Sequence, residues 1–221
     1  MTYTRAMNKH VQRAIQSLTM ASLGLFLIRL LVNRNIDYWY LVWNLLLAFV
    51  PLVLIIYIVK WLKNHRLSHP GTIALLFAWL SFLPNSFYII TDYIHLLDTK
   101  TTSLMLDIVM VFMFSLTGLI TGFASVYIFE KLLAKRYSHK SVQVVSMSIF
   151  LVCSFAIYLG RYLRWNSWDL VLNPIGIVFD VSDRLINPMA YGLTFSTTAI
   201  FFLFISSLYF AGIYTLKADK K

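Results

Sequence analysis

Charge is what this sequence has least of. Only 13% of its 221 residues are Asp, Glu, Lys or Arg, about half of the roughly 25% that a water-facing globular surface carries. With 59% hydrophobic residues, the chain cannot be a soluble globule. Acids are scarcer still, nine against nineteen Lys and Arg. In a soluble protein that excess would point to nucleic acid, but here the bases cluster beside apolar runs and read as membrane topology, so no nucleic-acid partner is expected. The single cysteine, Cys153, lies inside an apolar run. It excludes an intrachain disulfide and a thiolate metal cluster, and reads as a small buried hydrophobe. HExxH, GxSxG, Walker and GxGxxG motifs are all missing, which removes the chemistries that those patterns serve.

What is present is a set of six long apolar runs, over residues 14–32, 39–61, 72–97, 104–129, 142–159 and 193–216. At about 20 residues per crossing they use up the chain, which reads as a single all-α, polytopic membrane domain over residues 1–221. No soluble catalytic domain fits, so any chemistry belongs to helix ends or the bundle interior. The first run follows Arg5, Lys9 and Arg13, is too long for a signal peptide and lacks a small-residue cleavage site, so it reads as an uncleaved span.

Lys and Arg in alternate connections set the orientation. Arg5, Lys9 and Arg13, then Lys60, Lys63 and Arg66, then Lys131, Lys135, Arg136 and Lys140, then Lys217, Lys220 and Lys221 fall on one side. Arg29, Arg34, Lys100, Arg161, Arg164 and Arg184 fall on the other. Both termini are therefore expected in the cytoplasm. Asp37, Asp92, Asp98, Asp107, Asp169, Asp180 and Asp183 gather at the outer face, with only Glu130 and Asp219 inside. His95 is the sole outer histidine, which argues against a His-rich zinc site. His10, His65, His69 and His139 read as surface charge among the cytoplasmic bases.

The third run carries the densest polar constellation. With Asn85 at zero and about 100° per residue, Tyr88, Asp92 and His95 fall near 300°, 340° and 280°, a stripe about 80° wide. Such a stripe faces protein or water, because lipid does not solvate an ionised Asp92. Pro84 can kink the span beside it. The fifth run ends in Gly160-Arg161-Tyr162-Leu163-Arg164-Trp165-Asn166-Ser167-Trp168-Asp169, whose two arginines can grip a phosphate or carboxylate. The candidate substrate-binding residues are thus Arg161, Arg164, Asn85, Tyr88, Asn166, Trp168 and Asp169, with His95 and Asp92 as the catalytic pair. Asp92, Asp107 and Asp169 have the ligand hardness for magnesium or manganese, and the cofactor stays otherwise unknown. The structural counterpart of each is plain. The three acids can pair with Arg161 and Arg164 to lock helix ends, Trp165 and Trp168 can form an aromatic belt, and Asn166 or Ser167 can cap a helix.

Between residues 160 and 192, Asp180, Asp183, Arg184 and Asn187 recur opposite Ile177, Val178, Val181, Leu185 and Ile186, as in an amphipathic helix lying in the outer interface. Asn44 is expected to bond across helices and Arg29 to snorkel to outer headgroups. Gly118 and Gly122 form a GxxxG step that reads as close helix packing.

The sequence resembles an uncharacterised family of bacterial membrane proteins, the one numbered 1361 among the domains of unknown function. The resemblance rests on Phe82-Leu83-Pro84-Asn85, Tyr88, Thr91-Asp92 and His95-Leu96, and on the Gly160 to Asp169 motif, and it spans nearly the whole chain. It implies a bacterial plasma-membrane location and carries no activity, substrate or cofactor. The residues themselves suggest an enzyme working at the outer leaflet on a lipid-linked or phosphorylated amphiphile. In it Arg161 and Arg164 hold the anion, His95 moves a proton, and Asp92 orients His95 or binds metal. The rivals are a carrier or binding protein for an anionic lipid or solute, and an assembly protein whose ion pairs are structural. A carrier calls for a second polar site toward the cytoplasm, where the sequence offers little beyond Asn44. In every reading the surrounding partners are membrane lipids.

Overall fold

The computed structural model describes residues 9–97 and 103–218. Arg5, Asp98, Lys100, Asp219, Lys220 and Lys221, weighed above for topology, lie outside the described residues. The order is α1 (Lys9–Asn33), α2 (Trp39–Trp61), α3 (Pro70–Tyr88) continued by a 3₁₀ segment (Ile89–Leu97), α4 (Leu104–Leu133), α5 (His139–Tyr162), α6 (Asp169–Leu172), α7 (Pro174–Ile186), a short 3₁₀ turn (Pro188–Tyr191) and α8 (Gly192–Ala218). Six helices are long and apolar enough to cross a membrane, so the protein is a multi-pass membrane protein of the expected class. The helices overrun the apolar runs at several ends, because the polar residues flanking a span continue its backbone hydrogen bonding. The chain forms two compact units, residues 1–136 and 137–221.

In the first unit α4 packs against α1, α2 and α3, and α2 packs along α3. The Ser22 and Thr117 hydroxyls meet at 3.0 Å, and Arg29 bonds Asp107. As numbers rise along α1 they fall along α4, so the two run antiparallel. Pro51 interrupts α2 and removes an amide donor. Hydroxyls from neighbouring helices serve the carbonyls beside the break: Ser86 donates to the Ala48 oxygen at 2.8 Å and Ser125 to the Pro51 oxygen at 3.1 Å, as a proline-bearing helix needs where water is absent.

The GxxxG step does what its spacing suggests. A Cβ on Gly118 would stand 2.6 Å from the Ser86 backbone oxygen, and one on Gly122 would stand 2.7 Å from the Phe87 ring, whereas one on Gly24 would meet nothing within 4 Å. Gly118→Ala is therefore expected to cost about 1–3 kcal/mol, because it overpacks against backbone rather than a movable side chain. Gly24→Ala, in an open stretch of α1, should be neutral or stabilising by up to about 1 kcal/mol. Thermal unfolding in detergent distinguishes them, and equal effects would refute the close-approach account.

In the second unit α5 packs along α8, with the Phe150 and Tyr209 rings edge to face at 5.0 Å. Cys153 is buried there, as expected of a small hydrophobe. Ser138 caps α5 by accepting from the Ser141 amide at 3.2 Å. Asn173 caps α7 by accepting from the Gly176 amide at 3.2 Å, and Pro174 occupies the first helical turn, where its missing N–H has no partner to lose.

Candidate functional site

Arg29 does not snorkel. It is fully buried: its Nε donates to Asp107 Oδ1 at 3.0 Å, its Nη1 donates to Asn35 through both the backbone oxygen and the side-chain oxygen, and its Cζ lies 4.4 Å from the Tyr38 ring centroid. Asp37 stands 3.8 Å from Nη2. Burial explains the correction, since a guanidinium this enclosed has to be paired to stay charged, and Asp107, also fully buried, supplies the carboxylate. Within the first unit Asp107 Oδ1 accepts from Arg29. Beside this pair the Asn33 amide and the Ser103 hydroxyl bond each other, tying the end of α1 to the start of α4.

The polar stripe of the third span is rearranged by its helix type. The α-helix ends at Tyr88 and nine residues of 3₁₀ helix follow, a long run for a form that rarely exceeds three or four residues. The β-branched series Ile89-Ile90-Thr91 disfavours the wider helix, and the Thr91 hydroxyl donates back to the Tyr88 oxygen at 2.7 Å. In a 3₁₀ helix residues three apart eclipse. Asp92 and His95 therefore share a row with buried Ile89, while Tyr88 shares one with Thr91 and Ile94. The four-residue stripe with Asn85 and Tyr88 does not survive, but Asp92 and His95 are aligned more closely than α geometry would allow. Asn85 caps its own turn, donating to the Phe82 oxygen at 3.0 Å.

Asp92 is buried, and its Oδ2 accepts from Asn44 of α2 at 2.9 Å, the cross-helix bond expected of Asn44. The half-buried His95 ring lies 5.2 Å from Tyr40, which stands 5.9 Å from Tyr38. An aromatic path thus joins His95 to the Arg29–Asp107 pair within the first unit.

In the second unit the arginine drawn into the protein is Arg184, 6% exposed, which sequence reading counted only as a helix-face charge. Its Nη1 donates to the Asp180 side chain at 3.1 Å and to the Asp180 backbone oxygen at 2.7 Å, and its Cζ lies 4.8 Å from the Tyr191 ring and 5.9 Å from the Tyr158 ring. Trp165 donates to Asp180 Oδ2 at 2.7 Å, so its indole is tied to α7 and is not simply a belt residue. Tyr191 and Asn187 both donate to Asp183.

Arg161 is half-buried near the end of α5, and Arg164 is exposed just beyond it. Arg164 adopts φ 61°, with the chain closing there through the Trp165 amide onto the Leu159 oxygen at 3.2 Å. Asp169 Oδ2 accepts from the Asn166 backbone amide at 2.7 Å, and the Asp169 amide donates to the Asn166 backbone oxygen at 3.0 Å. The N-cap of α6 is Trp168, itself exposed, and its side chain makes no capping hydrogen bond. Asn166 and Ser167 are the caps expected from sequence, but Asn166 lies further out than Ser167 and uses its N–H groups as donors to Asp169.

Among the described residues no three His, Cys, Asp or Glu side chains come together to hold a metal. Asp92, Asp107 and Asp169 are engaged by Asn44, Arg29 and the Asn166 amide respectively.

Residues 43–209 match the family described as protein of unknown function (DUF1361). This chain belongs to that family. No curated protein and no solved structure matches it. The DUF1361 stretch begins inside α2 and ends inside α8. It takes in Asn44, Asp92, His95, Asp107, Arg161, Arg164 and Arg184, and leaves out Arg29.

Two arrangements had little signal in the sequence. Arg29 sits in an apolar run, which marks it as costly and hence paired, but nothing local names Asp107. His65 and His69 are not mere surface charge either. His65 stacks on Trp61 at 3.8 Å, and His69 accepts from the Gly71 amide at 3.1 Å to cap α3.

Proposed function

We propose that this protein is a bacterial plasma-membrane enzyme that takes a lipid-linked or phosphorylated amphiphile at the outer leaflet, with Arg161 and Arg164 gripping its anionic group. Both termini are cytoplasmic in this reading, which the distribution of Lys and Arg among alternate connections supports. The observation that carries it is the backbone of Arg164. A non-glycine residue in the left-handed region costs about 1–2 kcal/mol, and helix ends that need this conformation usually take glycine or asparagine. Here an exposed arginine holds the place, at φ 61°. Arg34 does the same after α1, at φ 51°. A strained residue with an exposed, charged side chain supports a functional assignment, and recognition of an anion is the function proposed for it. His95, in the first unit, is the group assigned to proton transfer.

Arg164→Gly separates backbone from side chain. Removing the strain should leave thermal stability unchanged or raise it by about 1 kcal/mol, while complementation of a deletion strain fails. Arg164→Lys should also fail, because a compact ammonium does not reproduce a two-pronged guanidinium. Full complementation by either variant would refute the anion grip.

A further inference from the structure

The segment from α6 to the start of α8 is amphipathic in the opposite sense to a helix resting on a membrane surface. Such a helix turns its charges to water and its apolar face down. In α7, with Ile175 at zero and about 100° per residue, Val178, Phe179, Leu185 and Ile186 occupy an arc about 120° wide. All of these apolar residues are exposed, Ile175 at 82%. Asp180 and Arg184 fall on the other side, at about 140° and about 180°, and Asp183 flanks the arc at about 80°; the three are engaged with Trp165, Tyr158, Tyr191 and Asn187. Val171 and Leu172 of α6 and Met189 of the 3₁₀ turn extend the bare apolar surface, Met189 at 98% exposure. This arrangement costs free energy in water, where apolar surface should be covered and carboxylates solvated. In hydrocarbon the same arrangement is the favourable one, because charges there must face protein and find partners.

We propose that residues 171–189 are immersed in the bilayer leaflet and that lipid acyl chains are the partner covering the apolar arc. Continuity settles the choice of occupant. The segment is bounded by two helices that are long and apolar enough to cross the membrane, α5 and α8, and its bare surface runs on into the exposed Leu193, Ile200 and Leu203 of α8. The Trp165 bond to Asp180 at 2.7 Å fixes the segment to the end of α5. Gly176 allows the closeness, since a Cβ there would stand 2.8 Å from the Trp165 ring. The immersion stands independently of the anion grip and of any reaction.

The test places single nitroxides at Ile175, Phe179, Ile186 and Met189, one at a time, in full-length Cys153→Ser protein reconstituted into phosphatidylcholine vesicles. Ile200 serves as the lipid reference and Ser141, exposed at the start of α5, as the aqueous one. The expected result is collision with oxygen and protection from a water-soluble nickel chelate, as at Ile200. Nickel accessibility matching Ser141 at these positions would overturn the proposal. So would dipolar broadening between labels of two molecules, which would assign the surface to a second copy of the chain. Four separate positions guard against one label disturbing the fold.

Discussion

Replacing Asp107 by asparagine is expected to destabilise the first unit by about 3–5 kcal/mol, because it leaves a buried guanidinium without its carboxylate. Arg29 has no route to water, since it is 0% exposed, and Asp37, the remaining acid near it, stands 3.8 Å from Nη2. Arg29→Met alone should also destabilise, because it takes the guanidinium away from the buried Asp107 carboxylate. The double variant Arg29→Met with Asp107→Leu should recover much of the loss, because replacing both members of a buried pair by apolar groups is often neutral or stabilising. Melting curves in detergent give all three values. A double variant as unstable as Asp107→Asn would show that the pair supplies net stability beyond avoiding an unpaired charge.

The second large effect is functional. On the proton-transfer reading His95→Gln should lower activity about 10²–10⁴-fold, with a stability loss of only about 0.5–1.5 kcal/mol from the ring contact with Tyr40. Asp92 needs a finer instrument, since its carboxylate also accepts the Asn44 bond at 2.9 Å. Exchanging the two residues, Asn44→Asp with Asp92→Asn, keeps an amide facing a carboxylate but moves the charge from the 3₁₀ segment to α2. Stability should be close to that of the parent, and activity should stay lost. Activity that returns with the exchange would make Asp92 a structural residue and leave His95 without its orienting acid.

How far the sequence reaches into this structure depends on range. The limits of α2 were legible because hydropathy falls sharply at both Trp39 and Trp61. The close approach at Gly118 and Gly122 was legible because their spacing alone puts both on one face. The stripe in the third span failed for a local reason: its angles assumed an α-helix, and the nine residues after Tyr88 are wound more tightly. Periodicity found the two faces of α7 but not what each one meets, since alternation is the same whether charges turn to water or to protein. The partner of Arg29 lay beyond reach because helix packing, not sequence distance, brings Asp107 to it. Asn44 to Asp92 was half visible, as a polar residue at depth needing a bond whose other end could not be named.

That long-range pair also has a consequence for biosynthesis. Asp107 lies 78 residues after Arg29, so at about 5–20 residues per second the ribosome takes about 4–16 s to deliver the carboxylate after the arginine. During that wait α1 is in or beside the translocation channel with the Arg29 cation, four residues from its end at Asn33, lacking its buried carboxylate and near only the exposed Asp37. The nascent helix can hold that charge at the headgroups, where an arginine costs far less than at the bilayer centre. Only when α4 arrives can Arg29 be drawn below the surface. The ion pair is thus a late step in assembly, and a chain stalled before α4 emerges should still expose residue 29 to aqueous reagents.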